Sequence, residues 1–139
     1  MLYRKFPGTD LESSVVGMGC WAIGGKWWGE DVEDANSVAC VRAAVESGIN
    51  FFDTAPLYGH GHADEILVEA LGTKRHDMII ATKVGIRFQG TTGHAQSDLS
   101  AAHVREDTEN SLRRLQLDTI PLLQIHWPCE MGTPLEETM

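Results

Sequence analysis

The residues best suited to chemistry lie in one stretch, residues 50–65, with the sequence NFFDTAPLYGHGHADE. Asp53 follows a short apolar run that is typical of a buried strand, and Tyr58 lies five residues later in a turn rich in glycine. Taken alone, the aspartate could cap a turn and the tyrosine could pack against the core. Together, an acid at a strand end and a tyrosine on the following loop are typical of a site that transfers a proton.

Two further candidates end later apolar runs. Lys83 lies near the end of MIIATKV, and a lysine within a buried strand is rarely found without a partner. His126 ends LLQIH, where a hydrogen-bonded core histidine would be the ordinary interpretation. Their shared position at the ends of apolar runs connects both residues to Asp53 and Tyr58.

These four side chains could form one site if the runs are parallel strands of a βα barrel. The C-terminal ends of such strands converge on one face, where barrel enzymes carry their active sites. An unperturbed tyrosine ionises at about pH 10, so it needs a neighbouring cation to act near neutrality. Lys83 would supply that cation, Asp53 would hold the lysine, and His126 would orient a substrate carbonyl.

The elements that must position these residues alternate between strands and helices. The predicted strands begin roughly 30–40 residues apart, which is the length of a βα unit. Their near-continuous apolar character is typical of a parallel sheet covered by helices. We predict strands at residues 15–18, 50–52, 78–84 and 119–126, and helices at residues 31–47, 63–71 and 100–115.

Helical spacing of apolar residues identifies the faces that should pack against the sheet. Asp31 is placed to cap the first helix and Gly48 to end it, and Ser100 is the predicted N-cap of the third helix. The faces predicted to be buried comprise Ala35, Val38, Val41 and Val45 in the first helix and Val104, Thr108, Leu112 and Leu115 in the third. The acidic residues of both helices are expected to face solvent.

Three segments lie outside this alternation. Residues 2–14 contain a Pro-Gly-Thr-Asp turn and predict an N-terminal hairpin, whereas residues 85–98 predict a long irregular loop of the kind that carries function. Thr133 and Pro134 begin a capping box that predicts a fourth helix, and the chain stops soon afterwards at Met139. We therefore expect residues 1–139 to be one unit that is truncated at the start of helix four.

Composition narrows the class of protein. The 139 residues suit one domain, and a net charge of −9 without a basic stripe argues against nucleic acid as a partner. No segment approaches the roughly 20 apolar residues of a membrane span, so no membrane partner is expected. Cys20, Cys40 and Cys129 are sparse and odd in number, which favours a reducing compartment and predicts a cytoplasmic protein.

The stretches DTAPLYGHGHADEILVEALG, ATKVG and LLQIHWP, in this order, resemble signature segments of the aldo-keto reductase superfamily. GMGCWAIGG is similar to the first loop of that family, and SLRRLQLDTIPLLQIHWP is similar to its passage from helix three to strand four. The resemblance covers nearly the whole chain. It implies an α/β fold, the parallel (β/α)8 TIM barrel, of which about the first four βα units are present.

The resemblance also implies an activity, the reduction of an aldehyde or ketone to an alcohol by hydride transfer from NADPH, with NADH possible. Tyr58 would be the proton donor, tuned by Lys83 and Asp53, and His126 would orient the small carbonyl substrate. The residues expected to border the cofactor are Gly19, Cys20, Trp21 and Asp53, and those expected to meet the substrate are Trp21, Tyr58, His126 and Trp127. A metal is not implied.

In this family the contacts to the cofactor phosphates come mainly from later strands, which the chain does not contain. We therefore expect the chain alone to be inactive, and to self-associate or pair with a missing C-terminal half, because a half-barrel leaves unpaired sheet edges. Two alternatives stay open. One is a non-enzymatic barrel subunit or assembly module, and a more remote one is a metal-dependent barrel hydrolase that uses His60 and His62.

The remaining polar candidates have weaker interpretations. His76, His94 and His103 are expected at the surface, although His94 lies in the long loop and could touch substrate. Arg87 and Gln89 lie in the same loop and are candidates for substrate specificity. The loop contains nothing that identifies a particular ligand.

Overall fold

The computed structural model describes residues 1–25, 32–89, 94–129 and 132–138. Its centre is a four-stranded parallel sheet, with two small antiparallel sheets beside it. The strands, in chain order, are β1 (Tyr3–Lys5), β2 (Glu12–Ser14), β3 (Met18–Gly19), β4 (Phe51–Asp53), β5 (Ile79–Val84), β6 (Ile86–Gln89), β7 (His94–Ser97) and β8 (Leu122–Ile125). The helices are α1 (Asp34–Glu46), α2 (His62–Leu71), α3 (Ala101–Leu115) and α4 (Leu135–Thr138).

The parallel sheet has the strand order β3-β4-β5-β8, so neighbouring strands follow one another along the chain. One helix lies in each connection: α1 between β3 and β4, α2 between β4 and β5, and α3 between β5 and β8. This succession of parallel βα units confirms the predicted fold class. β8 ends the sheet, and its Leu123 and Ile125 side chains are exposed.

The core lies where α1 and α2 pack on the centre of the sheet. Phe52 of β4 and Ile80 of β5 are fully buried there against Ile66 and Leu67 of α2. The apolar residues of α2 recur at helical spacing, so one side of the helix is buried along its whole length. α2 thus forms a rigid support for the loop that follows β4. No helix in the described ranges is long and apolar enough to cross a membrane.

Two predicted boundaries near the N-terminus are wrong. The first parallel strand covers Met18–Gly19 and not residues 15–18, because Val15 continues the N-terminal antiparallel pair through a hydrogen bond to the Leu2 carbonyl. The first helix begins at Asp34 after Glu33 as its N-cap, and Ala35 is exposed there. The predicted cap Asp31 lies outside the described residues.

The long irregular loop predicted at residues 85–98 is also wrong. In the part that the structure describes, β6 and β7 form an antiparallel pair in which Ile86 lies opposite Ser97. Gly85 redirects the chain out of β5 with a φ of +96°, a conformation that L side chains rarely adopt. The extended segments therefore pair with each other and not with the parallel sheet.

Leu115 of α3 is buried as predicted, but Val104, Thr108 and Leu112 are only half-buried, because the buried face of the helix includes the residues just before them. The residues buried along it are His103, Asp107, Ser111 and Leu115. Asp107 accepts a hydrogen bond from the Gly85 N–H at 2.8 Å, so the expectation that the acidic residues of this helix face solvent is wrong for Asp107. A backbone donor at the end of β5 needs an acceptor, which explains why a carboxylate lies on the inner face.

Candidate active site

Lys83 is the centre of a polar cluster at the C-terminal ends of β4 and β5. Its ammonium donates hydrogen bonds to both carboxylate oxygens of Asp53 at 2.8 Å, to the Thr54 carbonyl at 3.0 Å and to the Tyr58 hydroxyl at 3.1 Å. The lysine side chain is only 13% exposed. Charge-assisted bonds in a partly desolvated site are strong, so the ammonium is fixed beside the phenol oxygen.

The register of the sheet explains why these side chains meet. Asp53 lies opposite Ala81 in the parallel pair, and Lys83 is two residues further along β5. Side chains two residues apart on a strand point to the same face, so the Lys83 side chain rises on the face that carries Asp53. The two residues belong to adjacent strands and need no long-range loop to bring them together.

Tyr58 is held by a turn whose backbone requires glycine. The turn Tyr58–Gly61 is a short 3-10 segment in which Gly59 has a φ of +61°. A Cβ atom at Gly59 would overlap the backbone carbonyl of Gly24 in the first loop. The first loop and the Tyr58 turn therefore pack backbone against backbone, which fixes the position of the tyrosine ring relative to that loop.

His126 completes the cluster from the end of β8. Its ring meets the Tyr58 ring edge-on, with 5.9 Å between centroids, and its backbone N–H donates to the Val84 carbonyl at 3.0 Å. Burial, reinforced by the charge of Lys83 and opposed by that of Asp53, lowers the pKa of His126. The imidazole is therefore neutral near pH 7 and can donate only one ring N–H.

Two exposed indoles border the cluster. Trp21, 49% exposed, stacks on the Tyr58 ring with 6.1 Å between centroids. Trp127, 41% exposed, lies 5.2 Å from the His126 ring at a tilt of 57°. Large apolar rings left exposed beside a polar cluster are typical of the walls of a ligand site.

Gly19 and Cys20 of the first loop contribute backbone to the site, unlike the neighbouring Trp21. Gly19 lies opposite Asp53 in the β3–β4 pair, and a Cβ atom at Gly19 would meet nothing within 4 Å. The Cys20 thiol is fully buried in the core, and burial together with the Asp53 charge raises its pKa strongly. Its N–H donates to the Asp53 carbonyl at 2.8 Å. The Cys20 side chain thus points away from the site.

His62, one of the two histidines of the hydrolase alternative, is engaged by carboxylates. Its ring nitrogens lie 2.8 Å from Asp34 and 3.1 Å from Glu65, and these hydrogen bonds raise its pKa. Across residues 1–25, 32–89, 94–129 and 132–138, no three His, Cys, Asp or Glu side chains are grouped to hold a metal ion. The hydrolase alternative therefore has no ligand set in the described part of the chain.

Two other candidates lie differently from the prediction. His103 is buried and not at the surface, with its Nε2 atom 3.4 Å from the Asp107 carboxylate. Arg87 of β6 donates to Asp98, which also accepts the Ser100 N–H. The Arg87 side chain is thus occupied by this contact with Asp98, which argues against the prediction that it contributes to substrate specificity. The side chains at positions 89 and 94 are outside the description.

The sequence interpretation missed a buried charged pair beside the site. Asp64 of α2 is fully buried, accepts from the Thr54 hydroxyl at 2.7 Å, and pairs with Arg114 of α3 at 3.1 Å. A signal was present, because Asp64 precedes Leu67 and Leu71 by three and seven residues and so shares their buried face. Such a position predicts a carboxylate with dedicated partners.

The parallel βα sheet, with a lysine-centred polar cluster at its strand ends, defines part of a βα-barrel protein. The sequence model of the aldo/keto reductase family matches residues 15–139, and the chain belongs to this family.

Individual relatives agree with this membership. The chain is 40% identical over 140 residues to the aldo-keto reductase YhdN of Bacillus subtilis (strain 168), covering 99% of this chain and 41% of YhdN. It is 37% identical over 142 residues to a probable voltage-gated potassium channel subunit beta of Arabidopsis thaliana, covering 100% of this chain and 41% of that protein. The chain therefore spans about two fifths of the length of these relatives.

A solved structure shows the same correspondence. The holo form of the aldo-keto reductase AKR11C1 from Bacillus halodurans superposes with a TM-score of 0.86 at 36% identity. The match covers 99% of this chain and 44% of that one. The four-stranded sheet thus corresponds to part of such a barrel.

Proposed function

We propose that this chain carries the proton-transfer part of a carbonyl reductase site that converts an aldehyde or ketone to an alcohol. The observation that supports the proposal is the Lys83 ammonium, which lies 3.1 Å from the Tyr58 hydroxyl and is held from its other side by Asp53. Membership in the aldo/keto reductase family supports the same reaction class. We propose NADPH as the cofactor, with NADH as the alternative.

Tyr58 is the proposed proton donor. As the carbonyl carbon receives a hydride, the Tyr58 hydroxyl gives its proton to the carbonyl oxygen, so the C=O group becomes an alcohol and the tyrosine becomes a phenolate. The Lys83 ammonium stabilises this charge where it develops, and Asp53 prevents the lysine from turning away. A proton from water restores the phenol after the alcohol leaves.

His126 is the proposed positioning group for the substrate carbonyl. The imidazole is neutral near pH 7, and its Nδ1 atom is buried without a hydrogen-bond partner in the described structure. Buried N–H groups without an acceptor are rarer in folded proteins than buried acceptors without a donor, so we assign the proton to Nε2. Nε2–H then donates to the carbonyl oxygen beside Tyr58, while Trp21 and Trp127 form the walls around the substrate.

Residues at the C-terminal ends of β3 and β4 would border the nicotinamide end of the cofactor. When bound, NAD(P)H supplies the hydride that the carbonyl carbon receives. The proposed borders of this part of the cofactor site are the uncovered backbone at Gly19, the backbone of Cys20, the exposed ring of Trp21 and the side chain of Asp53. We assign no residue of this chain to the cofactor phosphates, which the remainder of a complete barrel would bind.

The complete barrel is therefore part of the proposal. The chain covers 41% of YhdN, and the outer strand β8 leaves Leu123 and Ile125 exposed at the sheet edge. We propose that further βα units cover this edge, and that the chain without them is inactive and self-associates. We propose a cytoplasmic location, because the three cysteines are sparse and odd in number.

A second candidate function comes from the similarity to the potassium channel subunit beta of Arabidopsis thaliana. On this alternative the barrel serves as a subunit of a larger assembly, and the cluster around Lys83 contributes to stability or cofactor binding without turnover. The two candidates differ in one measurable respect: only the reductase consumes NADPH when a carbonyl compound is present.

The test uses the protein in the longest form that its gene encodes. NADPH consumption is followed with a panel of small aldehydes and ketones, for the wild type and for Tyr58→Phe. We expect the variant to lose at least about two orders of magnitude in kcat, because the proton donor is gone. The matched control is Tyr3→Phe. It removes the hydroxyl of the second tyrosine in the chain, which donates to the Gly48 carbonyl and is not part of the cluster around Lys83. Equal turnover by Tyr58→Phe and wild type would contradict the proposal.

A further inference from the structure

Asp64 and Arg114 form a charged pair that the proposed reaction does not use. The Asp64 side chain is 0% exposed and lies in the first turn of α2. Arg114 of α3 donates from Nε to one of its carboxylate oxygens at 3.1 Å, and the Thr54 hydroxyl donates to the other at 2.7 Å. Arg114 also reaches Ser111 on its own helix at 3.4 Å.

Removing two charges from water costs free energy, so a buried charged pair is an unfavourable way to hold α2 and α3 together. Burial raises the pKa of Asp64, although the Thr54 and Arg114 bonds act in the opposite direction. An apolar pair of similar size at such a position is often as stable or more stable, so a buried ion pair is weak evidence for a purely stabilising role. Leu67 of α2 and Leu115 of α3 already bury apolar surface in the same core. A role in fixing the positions of neighbouring residues therefore explains this pair better than a purely stabilising role.

Thr54 connects this pair directly to the lysine. Its hydroxyl bonds Asp64, its carbonyl accepts from the Lys83 ammonium at 3.0 Å, and its N–H donates to the Ala81 carbonyl at 2.8 Å. All three polar groups of one residue are thus engaged. Rotation of Thr54 would move the carbonyl that orients Lys83, and the Asp64 bond opposes that rotation.

Arg114 also reaches the other end of the same loop. Gly61, the last residue of the Tyr58 turn, has a φ of +91°, and a Cβ atom there would lie 2.8 Å from the Arg114 Cδ atom. The arginine stem therefore packs directly on the glycine backbone. The loop that carries Tyr58 is consequently held at Thr54 through Asp64 and at Gly61 through Arg114.

We propose that Asp64 and Arg114 are positioning residues that clamp both ends of the loop from Thr54 to Gly61 and thereby fix Lys83 against the Tyr58 hydroxyl. The catalytic consequence rests on the proposed reductase function, whereas the effect on Lys83 does not. Because a displacement of about 1 Å can cost on the order of a hundredfold in rate, a clamp of this kind would matter to turnover.

The test breaks the link at its smallest component. Thr54→Val keeps the shape and the backbone carbonyl but removes the hydroxyl that bonds Asp64, and Thr54→Ser restores a hydroxyl. The activity-independent readout is the rate at which Lys83 is reductively methylated relative to the exposed Lys5 of the same molecule, measured by mass spectrometry of peptides. We expect a severalfold rise in the relative rate at Lys83 in Thr54→Val and a return towards wild type in Thr54→Ser.

Turnover gives a second readout. In Thr54→Val we expect kcat to fall about tenfold and the solvent deuterium isotope effect on kcat to rise, because proton transfer becomes slower relative to the other steps. A lower fraction of folded protein would leave that isotope effect unchanged. Arg113→Gln is the matched control, since it removes the neighbouring arginine, which is exposed and bonds only Glu109 and Asn110 among the contacts described.

The outcomes separate this proposal from the proposed reaction. Unchanged methylation of Lys83 in Thr54→Val overturns the clamp, whether or not the protein reduces carbonyl compounds. Altered methylation in a protein without turnover supports the clamp and contradicts the reductase. If Thr54→Val does not fold, Arg114→Ala is measured in the same way, since alanine removes both the bond to Asp64 and the side-chain atoms that pack on Gly61. Wild-type methylation in that variant also overturns the proposal.

Discussion

Replacing Lys83 with methionine removes the ammonium while keeping a side chain of similar length. In the structure that ammonium is 3.1 Å from the Tyr58 hydroxyl, and at an effective dielectric constant of about 20 a full phenolate and an ammonium at this distance attract by about 5 kcal/mol. Asp53, at 2.8 Å from the same ammonium, shares that charge and reduces its effect on Tyr58. We therefore expect Lys83→Met to lose roughly half of this energy, which corresponds to on the order of a hundredfold in kcat.

The assay is steady-state consumption of NADPH with the best aldehyde of the panel, with folding checked by circular dichroism. Lys74→Met is the matched control, because Lys74 is exposed in the turn Gly72–Asp77. The KM for the aldehyde should change little, since Lys83 stabilises a charge that exists only after proton transfer. A folded Lys83→Met protein with kcat within about threefold of wild type would refute the electrostatic reasoning.

Three further predictions concern stability. Burial alone would raise the pKa of Asp98, but the Arg87 and Ser100 bonds outweigh it and hold the pKa at about 2, against 3.8 unperturbed. Asp98→Asn should therefore lower the free energy of unfolding by roughly 2 kcal/mol, measured by urea unfolding at pH 7. The loss of stability should shrink as the pH falls through 3.8 towards 2, and an equal loss at pH 7 and near pH 2 would contradict this prediction. Gly59→Ala should lower both Tm and kcat, because its Cβ would overlap the first-loop backbone; full activity would rule out that contact. His62→Gln should destabilise the protein at pH 6 but little at pH 9. The raised pKa of His62 contributes stability that is fully present below pH 6.5 and is lost above the folded-state pKa. A destabilisation that does not depend on pH would argue against this.

The sequence was sufficient to predict the fold class and the meeting of Asp53 with Lys83, because both depend on short-range rules. Apolar runs at βα spacing predict parallel neighbours, and parallel neighbours place their C-terminal residues side by side. The catalytic roles of these residues stay predictions. The β6–β7 pair was missed because each strand has only four residues and β7, HAQS, is mostly polar, so composition did not distinguish the segment from a loop.

The inner face of α3 was harder for a different reason. An apolar count selects Leu112 and Leu115, and both contribute to the core. It does not select His103, Asp107 and Ser111, which are buried on the same helix. Asp107 is inside because the Gly85 N–H at the end of β5 needs an acceptor, and that need arises only once the strand and helix have been placed. Polar contacts between elements are therefore determined by tertiary geometry, which the periodicity of one helix does not contain.

The contacts of Lys83 show how little of the chain is needed to place the proposed proton donor. Asp53, Thr54 and Tyr58 all come from the end of β4 and its loop, and Lys83 comes from the next strand. His126 joins this group because β8 pairs with β5 and the His126 backbone N–H donates to the Val84 carbonyl at the end of β5. The geometry of the proposed proton donation is thus set by two adjacent strand pairs, whereas on our proposal the cofactor phosphates and most of the substrate pocket require the rest of a barrel. A variant that disturbs β4 or β5 should therefore impair proton transfer even when the cofactor still binds.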